Sequence, residues 1–99
     1  MDKINPIIHQ PTRLQILTIV HMDKSISFSA LKKELRVSDG NLWTHLEKLE
    51  KSGYISIEKS FVDKKPLSTI RIEKNGEKEL LKYMESLEKI FSWVKKGDW

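Results

Sequence analysis

The side chains best placed to do chemistry lie in one segment, Ser38 to Tyr54, with the sequence SDGNLWTHLEKLEKSGY. Taken as a helix, this segment carries a stripe of leucines on one side: Leu42, Leu46 and Leu49. At about 100° per residue, small, polar and aromatic residues fall on the opposite side and its flanks. They are Gly40, Trp43, Thr44, Glu47, Lys48 and Lys51. Such a helix would present hydrogen-bonding and charged groups to a partner while its leucines hold it in the core.

The two ends of this helix are also marked. Ser38 is a good N-cap, because its hydroxyl can accept a hydrogen bond from a free amide of the first turn. Gly53 tolerates the left-handed conformation that ends many helices, and an alternating, strand-like pattern follows it. A helix with such clear limits that leads into a strand is typical of a DNA-recognition helix followed by a wing.

Catalysis and metal binding have no comparable support. The chain has no cysteine, which excludes disulfides, thiolate nucleophiles and thiolate metal sites. His9, His21 and His45 are scattered, and none of them pairs with a carboxylate at metal-site spacing. The four glycines form no phosphate-cradling loop. We therefore expect no enzyme, no catalytic residue, no metal site and no cofactor.

Length and charge favour a small intracellular protein with a polyanionic partner. The 99 residues predict a single domain, 1–99, with a thin hydrophobic core. Lys and Arg exceed Asp and Glu by 18 − 14 = 4, an excess that favours a polyanion without identifying it. The longest apolar run is about five residues, far short of the roughly 20 that span a bilayer. The first residues lack a signal-peptide pattern, so we expect a cytoplasmic protein with no membrane partner.

A helix and a short strand are predicted ahead of the Ser38 segment. Apolar residues at helical spacing predict a first helix over about 11–22. Pro11 suits its first turn, because the amide hydrogen that proline lacks would be unpaired there. Residues 26–29, ISFS, are β-like and predict a single edge strand.

A second helix is predicted between this strand and Ser38, with Ser29 as its cap. Ala30, Leu31 and Leu35 are expected to point inward. The short connection to Ser38 has the dimensions of a helix-turn-helix unit. A generic helical hairpin is the alternative interpretation of these two helices.

A β-hairpin is predicted after Gly53. Isoleucines alternate with polar residues in two runs, at Ile55 and Ile57 and again at Ile70 and Ile72. Residues 59–68 between them are mostly polar and contain a proline, so we expect a protruding loop there. A hairpin directly after a recognition-type helix favours a winged helix. The predicted fold class is therefore mainly α with a small β-hairpin: a winged helix-turn-helix over 11–73 with a long C-terminal amphipathic helix.

The last helix is predicted over about 77–96, within a C-terminal dimerisation segment 74–96, with Asn75 as a candidate cap. Apolar residues recur at steps of 4, 3, 4 and 3, the spacing of a coiled-coil seam: Leu80, Met84, Leu87, Phe91 and Val94. We expect this seam to pair with a second copy, because a thin core would otherwise leave it exposed. A helix packed only on its own domain is the alternative.

Several segments together resemble a known family. In chain order they are PTRLQIL, FSALKKEL, VSDGNLWTHLEKLEKSGYI, the KKP of the wing and the helix start NGEKEL. This order is similar to that of small winged-helix transcriptional regulators of the ArsR/MarR type, from Pro11 to about Phe91. The resemblance implies a homodimer that binds short, roughly palindromic operators in double-stranded DNA. It does not extend to thiolate metal sensors of the ArsR type, because the chain has no cysteine.

The resemblance also implies roles for individual side chains. The third helix would enter the major groove, with Asn41 and Thr44 at base edges and the wing on the backbone or the adjacent minor groove. Trp43 would press on a thymine methyl or a sugar, or else cover a neighbouring apolar patch. His45 would donate to a phosphate, or else pack in the core. The lysines would neutralise phosphates. The predicted DNA contacts are Lys32, Ser38, Asn41, Trp43, Thr44, His45, Lys48, Lys64 and Lys65.

A second function class stays open at the level of sequence. A winged helix can instead serve protein contacts within a larger assembly, because the fold alone does not determine function. Such a module would carry an apolar cluster on the outward face of the third helix, where only Trp43 qualifies. A small-molecule effector is compatible with a regulator, but no residue pattern identifies one.

Overall fold

The computed structural model describes residues 3–97, which form four helices and three strands. In chain order the elements are α1 (Pro11–Asp23), β1 (Ser25–Ser27), α2 (Phe28–Leu35), α3 (Asp39–Lys51), β2 (Ile55–Val62), β3 (Lys65–Ile72) and α4 (Lys74–Lys96). The strands form one antiparallel sheet in the order β1-β3-β2. This winged helix-turn-helix architecture confirms the predicted fold class. Within the described residues, no helix is long and apolar enough to cross a membrane.

α1 supplies one wall of the core. Pro11 lies in its first turn, and the Gln10 side chain caps the helix by accepting a hydrogen bond of 2.7 Å from Arg13 N. Its fully buried apolar residues are Ile16, Leu17 and Val20. The extent predicted from the sequence is correct to within one residue.

α2 begins earlier than predicted. Its cap is Ser27, whose hydroxyl accepts a hydrogen bond of 3.1 Å from Ala30 N, so Ser29 already lies inside the helix. The prediction of Ser29 was wrong because β1 ends at Ser27, which has the extended backbone that an N-cap requires. Ala30 is exposed rather than inward-facing, whereas Leu31 is fully buried. β1 pairs with β3 at one edge of the sheet, which confirms the predicted edge strand.

α3 has the anatomy that the sequence predicts. Leu42, Leu46 and Leu49 have no exposed surface, and the Ser38 hydroxyl caps the helix. Gly53 follows the helix end with φ of +79°, in the left-handed region that favours glycine. The core therefore holds α3 by its leucine stripe and leaves the opposite side outward.

The wing is a regular hairpin and not a long loop on short strands. β2 and β3 pair along their whole length, and only Asp63 and Lys64 form the turn. Both turn residues have positive φ, +52° and +65°, as in the type I′ turns whose twist matches that of a hairpin. The loop predicted over 59–68 was therefore wrong, because the pairing of β2 with β3 continues through those residues.

Pro66 lies inside β3 without interrupting it. It pairs with Phe61, next to the pair that closes the turn. In a two-residue hairpin the closing pair is hydrogen-bonded and the next pair is not. On the other side of β3, β1 pairs only with residues 69–71. Neither neighbour therefore needs the amide hydrogen that proline lacks.

α4 begins before its predicted cap. Glu73 occupies the N-cap position but its side chain makes no capping hydrogen bond, and Asn75, the predicted cap, lies within the first turn. The backbone determines the start instead: Glu73 N donates to the Tyr54 carbonyl oxygen at 3.0 Å. A Cβ at Gly76 would collide with that same oxygen. Glycine at position 76 is therefore needed for the close approach of α4 to the start of the wing.

The segment before α1 also holds α4 in place. Asn5 Nδ2 donates to the Tyr54 hydroxyl at 2.9 Å, and His9 Nδ1 lies 2.9 Å from the Tyr83 hydroxyl. Ile8, between them, is fully buried. The beginning of the described chain thus packs against the first half of the last helix.

α4 packs on the domain mainly through its first half. Leu80 and Tyr83 are each 4% exposed, whereas Met84 is 43% and Phe91 56% exposed. The elongated shape of the described chain, 59 × 26 × 20 Å, agrees with a helix that projects from its core. Leu80, assigned to the dimer seam from the sequence, is buried in the core of its own protomer, and Leu87 packs partly against that core. The other seam positions, Met84, Phe91 and Val94, are exposed.

Candidate nucleic-acid interface

The outward face of α3 is open along its length. The exposed side chains on the side opposite the leucines are Asn41, Thr44, Glu47, Lys48 and Lys51. This orientation is rigid, because any roll of the helix would expose leucines that are completely buried. A helix displayed in this way fits a groove about 12 Å wide, the width of the B-DNA major groove.

Thr44 presents an acceptor and a methyl group to the outside. Its Oγ1 donates to the Gly40 carbonyl oxygen at 2.9 Å, so the hydroxyl hydrogen is used within the helix. The remaining lone pairs can accept from an exocyclic amine of a base, and the methyl can pack on a thymine methyl. Asn41, nearly one turn earlier, is exposed and carries both a donor and an acceptor.

Ser38 contributes first to the start of α3. Its hydroxyl oxygen accepts a hydrogen bond of 3.1 Å from Asn41 N. The hydroxyl can still donate its own hydrogen, and the residue is exposed. A phosphate at this helix N-terminus would therefore meet a donor as well as the positive end of the helix dipole.

Trp43 packs on the protein. Its ring stacks on Phe28 of α2, with ring centroids 4.5 Å apart and 16° between the planes. Lys59 Nζ of β2 lies 5.6 Å from the indole centroid, within cation–π range. The side chain is partly buried. This geometry supports the alternative given for Trp43, a cover over an apolar patch, and makes the indole a brace between α2, α3 and the wing.

His45 also faces the protein. Its Nδ1 lies 3.2 Å from Arg13 Nη1, and because a guanidinium only donates, Nδ1 must accept and the ring is neutral. Partial burial, followed by the positive charges of Arg13 and Lys48, lowers the pKa of His45 below its usual 6.5. The contact with Arg13 turns Nδ1 toward the protein and supports the alternative of a packed histidine.

Arg13 is a positioning residue that the sequence analysis missed. It is 9% exposed, and its Nε donates to the Ile7 carbonyl oxygen at 2.6 Å. Through Nη1 it also meets His45, so one guanidinium connects the N-terminal segment, α1 and α3. Helical spacing could have found it, since it lies three and four residues before the buried Ile16 and Leu17.

Lys32 lies beside the N-terminus of α3. Its Nζ is 2.6 Å from Asp39 Oδ1, with side chains that are 45% and 64% exposed. An exposed pair of this kind adds little to stability, but Asp39 offsets part of the lysine charge. Lys48, on the outward face of α3, is exposed.

The wing carries positive charge at its tip. Lys64 is the second residue of the turn and Lys65 the first residue of β3, and both are exposed. Lys65 thus stands in a regular strand and not in a loop. The exposed tip extends beyond the part of the sheet that packs on the core.

A family model described as the winged helix DNA-binding domain matches residues 12–91. The chain belongs to this family. The match runs from the second residue of α1 to Phe91 in α4 and so includes the complete wing. As a member of a family of DNA-binding regulators, this winged helix protein is not an enzyme. No cluster of three or more metal-ligating side chains occurs in residues 3–97.

Known relatives agree with the family. The structure of a transcriptional regulator homologue from Pyrococcus horikoshii OT3 has a TM-score of 0.84 at 27% identity, covering 89% of this chain and 87% of that one. HlyU from Vibrio cholerae N16961 has a TM-score of 0.61 at 20% identity, with coverages of 87% and 85%. An ArsR family transcriptional regulator has a TM-score of 0.58 at 20% identity, with coverages of 87% and 84%. The latter two share the fold.

A relative from Methanocaldococcus jannaschii, an uncharacterised protein, is 33% identical over 70 residues. The matched region is 71% of this winged helix chain and 76% of the relative. Together with the family match and the similar structures, this confirms the resemblance to small winged-helix regulators that the sequence indicated.

Two side chains of the winged helix domain were missed because the strand register was not predicted. Lys59 and Phe61 lie on the same sheet face as Ile55 and Ile57, because they follow them at steps of two residues in β2. That face packs against the helices in its inner half. Only the pairing of β2 with β3 as far as the turn places both side chains on the α3 side of the wing.

Proposed function

We propose that this winged helix protein is a transcriptional regulator that binds double-stranded DNA sequence-specifically as a homodimer. α3 lies in the major groove, and the wing lies on the backbone or in the adjacent minor groove. The observation that carries the proposal is the open face of α3 beside a lysine-tipped wing, both held by one core. Membership of a DNA-binding family supports it, as does the description of the P. horikoshii relative as a transcriptional regulator homologue.

Sequence is read in this proposal from the first two turns of α3. Asn41 pairs with an adenine through both the oxygen and the nitrogen of its side-chain amide. Thr44 offers its hydroxyl acceptor and its methyl group to a neighbouring base. Their rigid presentation matters, because a base contact requires the side chain to meet one edge pattern in the groove. The stack of Trp43 on Phe28 contributes by fixing α3 against α2.

Phosphates are bound around this base-reading face. Lys48 flanks it on α3, while Lys64 and Lys65 reach the backbone from the wing. Lys32 and Ser38 lie at the N-terminus of α3, where the helix dipole also favours an anion. The Asp39 carboxylate next to Lys32 offsets part of its charge, so the contacts at the helix N-terminus contribute less than those of Lys48 and the wing. A DNA partner requires an intracellular location, in agreement with the cytoplasmic expectation.

Two copies associate in this proposal through the outer half of α4. Met84, Leu87 and Phe91 continue the apolar stripe whose first part, Leu80, is buried in the protomer core. A two-fold axis brings the same apolar stripe of the two copies together, so the interface uses one self-complementary surface. The two α3 helices would then read half-sites about 34 Å apart, one turn of DNA.

Selection of bound duplexes from a random DNA pool tests this function most directly. The proposal predicts enrichment of a roughly palindromic site whose half-sites are separated by whole turns of the double helix. Three or four phosphate contacts per subunit predict that log K falls with log salt at a slope of roughly −5 to −7 for the dimer. A protein that ignores every duplex at low ionic strength, or shows a flat salt dependence, contradicts the proposal.

The alternative, a winged helix that binds a protein through α3, gains no support from the surface of that helix. It would require an apolar cluster on the outward face, where Trp43 was the one candidate. In the structure Trp43 is partly buried against Phe28, and the exposed neighbours on that face are polar or charged.

A further inference from the structure

An exposed aromatic side chain on the wing has no role in the contacts described so far. Phe61 is 76% exposed, more than any other large hydrophobic residue within positions 3–97. It stands near the end of β2, opposite Pro66 on β3. Phe61 and the exposed Pro66 opposite it form a small apolar patch near the tip of the wing, and its surroundings indicate what kind of partner fits it.

Strand register places Phe61 on the side of the wing that faces α3. Lys59 and Phe61 are two residues apart and therefore share one face of β2. On that face the Lys59 ammonium lies over the Trp43 ring of α3. Phe61 is the next side chain outward in the same row, whereas Val62 points to the opposite face.

The reach of this row matches the spacing of the DNA grooves. Each strand residue advances about 3.3 Å, so Phe61 lies about 7 Å farther out than Lys59, and the turn lies about another 7 Å beyond it. In a duplex with a repeat of about 34 Å, the centres of neighbouring major and minor grooves are about 17 Å apart. With α3 in the major groove and the wing running along the duplex, the turn would lie about 14 Å beyond Lys59, close to the adjacent minor groove, and Phe61 would lie about half-way there.

The positive charge of the outer wing around Phe61 complements the negative charge of a nucleic acid. The outer wing, residues 59–66, contains the three lysines Lys59, Lys64 and Lys65 and one aspartate, which gives a net charge of 3 − 1 = +2. An apolar side chain on a hairpin with this positive charge fits a partner whose apolar surface is bordered by phosphates. The sugars and base edges of a minor groove have this arrangement.

We propose that Phe61, with Pro66 beside it, is an apolar wedge that enters the minor groove next to the major groove occupied by α3. The phenyl ring packs on sugars and base edges there and partly unstacks one base step. Flexible pyrimidine–purine steps deform most easily, so the wedge confers a preference for them at a position that α3 does not touch. This inference rests on the proposed function and adds a second, shape-dependent source of specificity to it.

Substitution of Phe61 tests the wedge, with Val62 as a matched control on the other face of the same strand. Phe61→Ala is expected to weaken binding to the selected duplex at least about fivefold, with an unchanged salt slope because no charge is lost. The bend of an end-labelled duplex, measured by energy transfer, should decrease together with the preference for flexible flanking steps. Val62→Ala should leave all of these unchanged. Both residues are exposed, so thermal unfolding should confirm that both variants fold.

The outcomes separate this inference from the function on which it rests. If Phe61→Ala binds and bends the duplex as the unsubstituted protein does, the wedge is refuted while DNA binding stands. If Phe61→Ala instead lowers the molecular mass of the protein in solution, Phe61 is a contact between copies and the wedge is likewise refuted. If the unsubstituted protein binds no duplex at low ionic strength, the proposed function itself fails.

Discussion

Asn41 and Lys65 contribute to the proposed DNA contact in different ways, which single substitutions separate. Asn41→Ala removes a donor and an acceptor from a base edge, so we expect a loss of about 1–3 kcal/mol of binding free energy and a relaxed preference at one base pair. Lys65→Ala removes a phosphate contact, so it should weaken all sequences alike and reduce the salt slope by about one. Anisotropy titrations with the selected site and its single-base variants measure both effects. Uniform weakening by Asn41→Ala would contradict the base contact.

His45 makes the stability of the fold depend on pH. In the folded protein its pKa lies below the ordinary value of 6.5, first because burial disfavours the charged ring. Below about pH 6.5 the folded state therefore binds fewer protons than the unfolded state. The free energy of unfolding should fall as the pH falls from 6.5 through the folded pKa, and the His45 contribution should be fully present above 6.5.

His45→Gln isolates this contribution, because glutamine offers Arg13 an acceptor without titrating. Denaturant unfolding of both proteins from about pH 8 to 5 should show a smaller loss of stability at the acidic end for the variant. Parallel pH profiles for the two proteins would contradict a lowered His45 pKa in the folded protein.

At the scale of elements, the position of α4 depends on one glycine. A Cβ at Gly76 would strike the Tyr54 carbonyl oxygen, which also accepts the hydrogen bond from Glu73 N. Gly76→Ala should therefore lower the free energy of unfolding by about 1–3 kcal/mol. Gly40→Ala in α3 is the control: a Cβ there meets nothing within 4 Å, so it should raise stability by about 0.5–1 kcal/mol. Urea unfolding measures both, and an unchanged stability of Gly76→Ala would contradict the close approach.

Local sequence signals were sufficient to predict α3 but not to predict the extent of the two strands of the wing. The leucine period, the Ser38 cap and Gly53 all depend on interactions within the helix or its first and last turns. The hairpin instead closes at Asp63 and Lys64, two non-glycine residues at positive φ, where no Asn-Gly pair marks the turn. Pairing between distant residues of β2 and β3 holds this turn, and no local pattern reports such pairing.

The start of α4 shows the same division between local and tertiary causes. Asn75 is the better capping residue by type, yet Glu73 holds the cap position because its amide pairs with the Tyr54 carbonyl oxygen, nineteen positions earlier in the chain. Likewise, Ser27 and not Ser29 caps α2, because β1 ends at Ser27.

At the scale of the whole molecule, the proposed dimer depends on the apolar stripe of α4. Phe91 and Trp93 are exposed to similar extents, 56% and 53%, but helical spacing places only Phe91 on the stripe of Leu80. Phe91→Glu should therefore shift the protein from dimer to monomer, because two carboxylates would face each other across the two-fold axis. Trp93→Glu should leave the dimer intact. Light scattering over a range of concentrations distinguishes these results, and equal masses for both variants would contradict an α4 seam.

By itself the sequence determined the helices, the leucine stripe and outward polar face of α3, and the winged-helix class. These depend on periodicity and capping, which act over a few residues. Tertiary structure alone decided the orientation of Trp43, which packs on Phe28, and of His45, which contacts Arg13. It also decided the exposure of Phe61 on the wing. The physical reason is that the contacts of a side chain at the edge of a helix's buried stripe depend on the element that packs beside it. That element comes from a distant part of the chain.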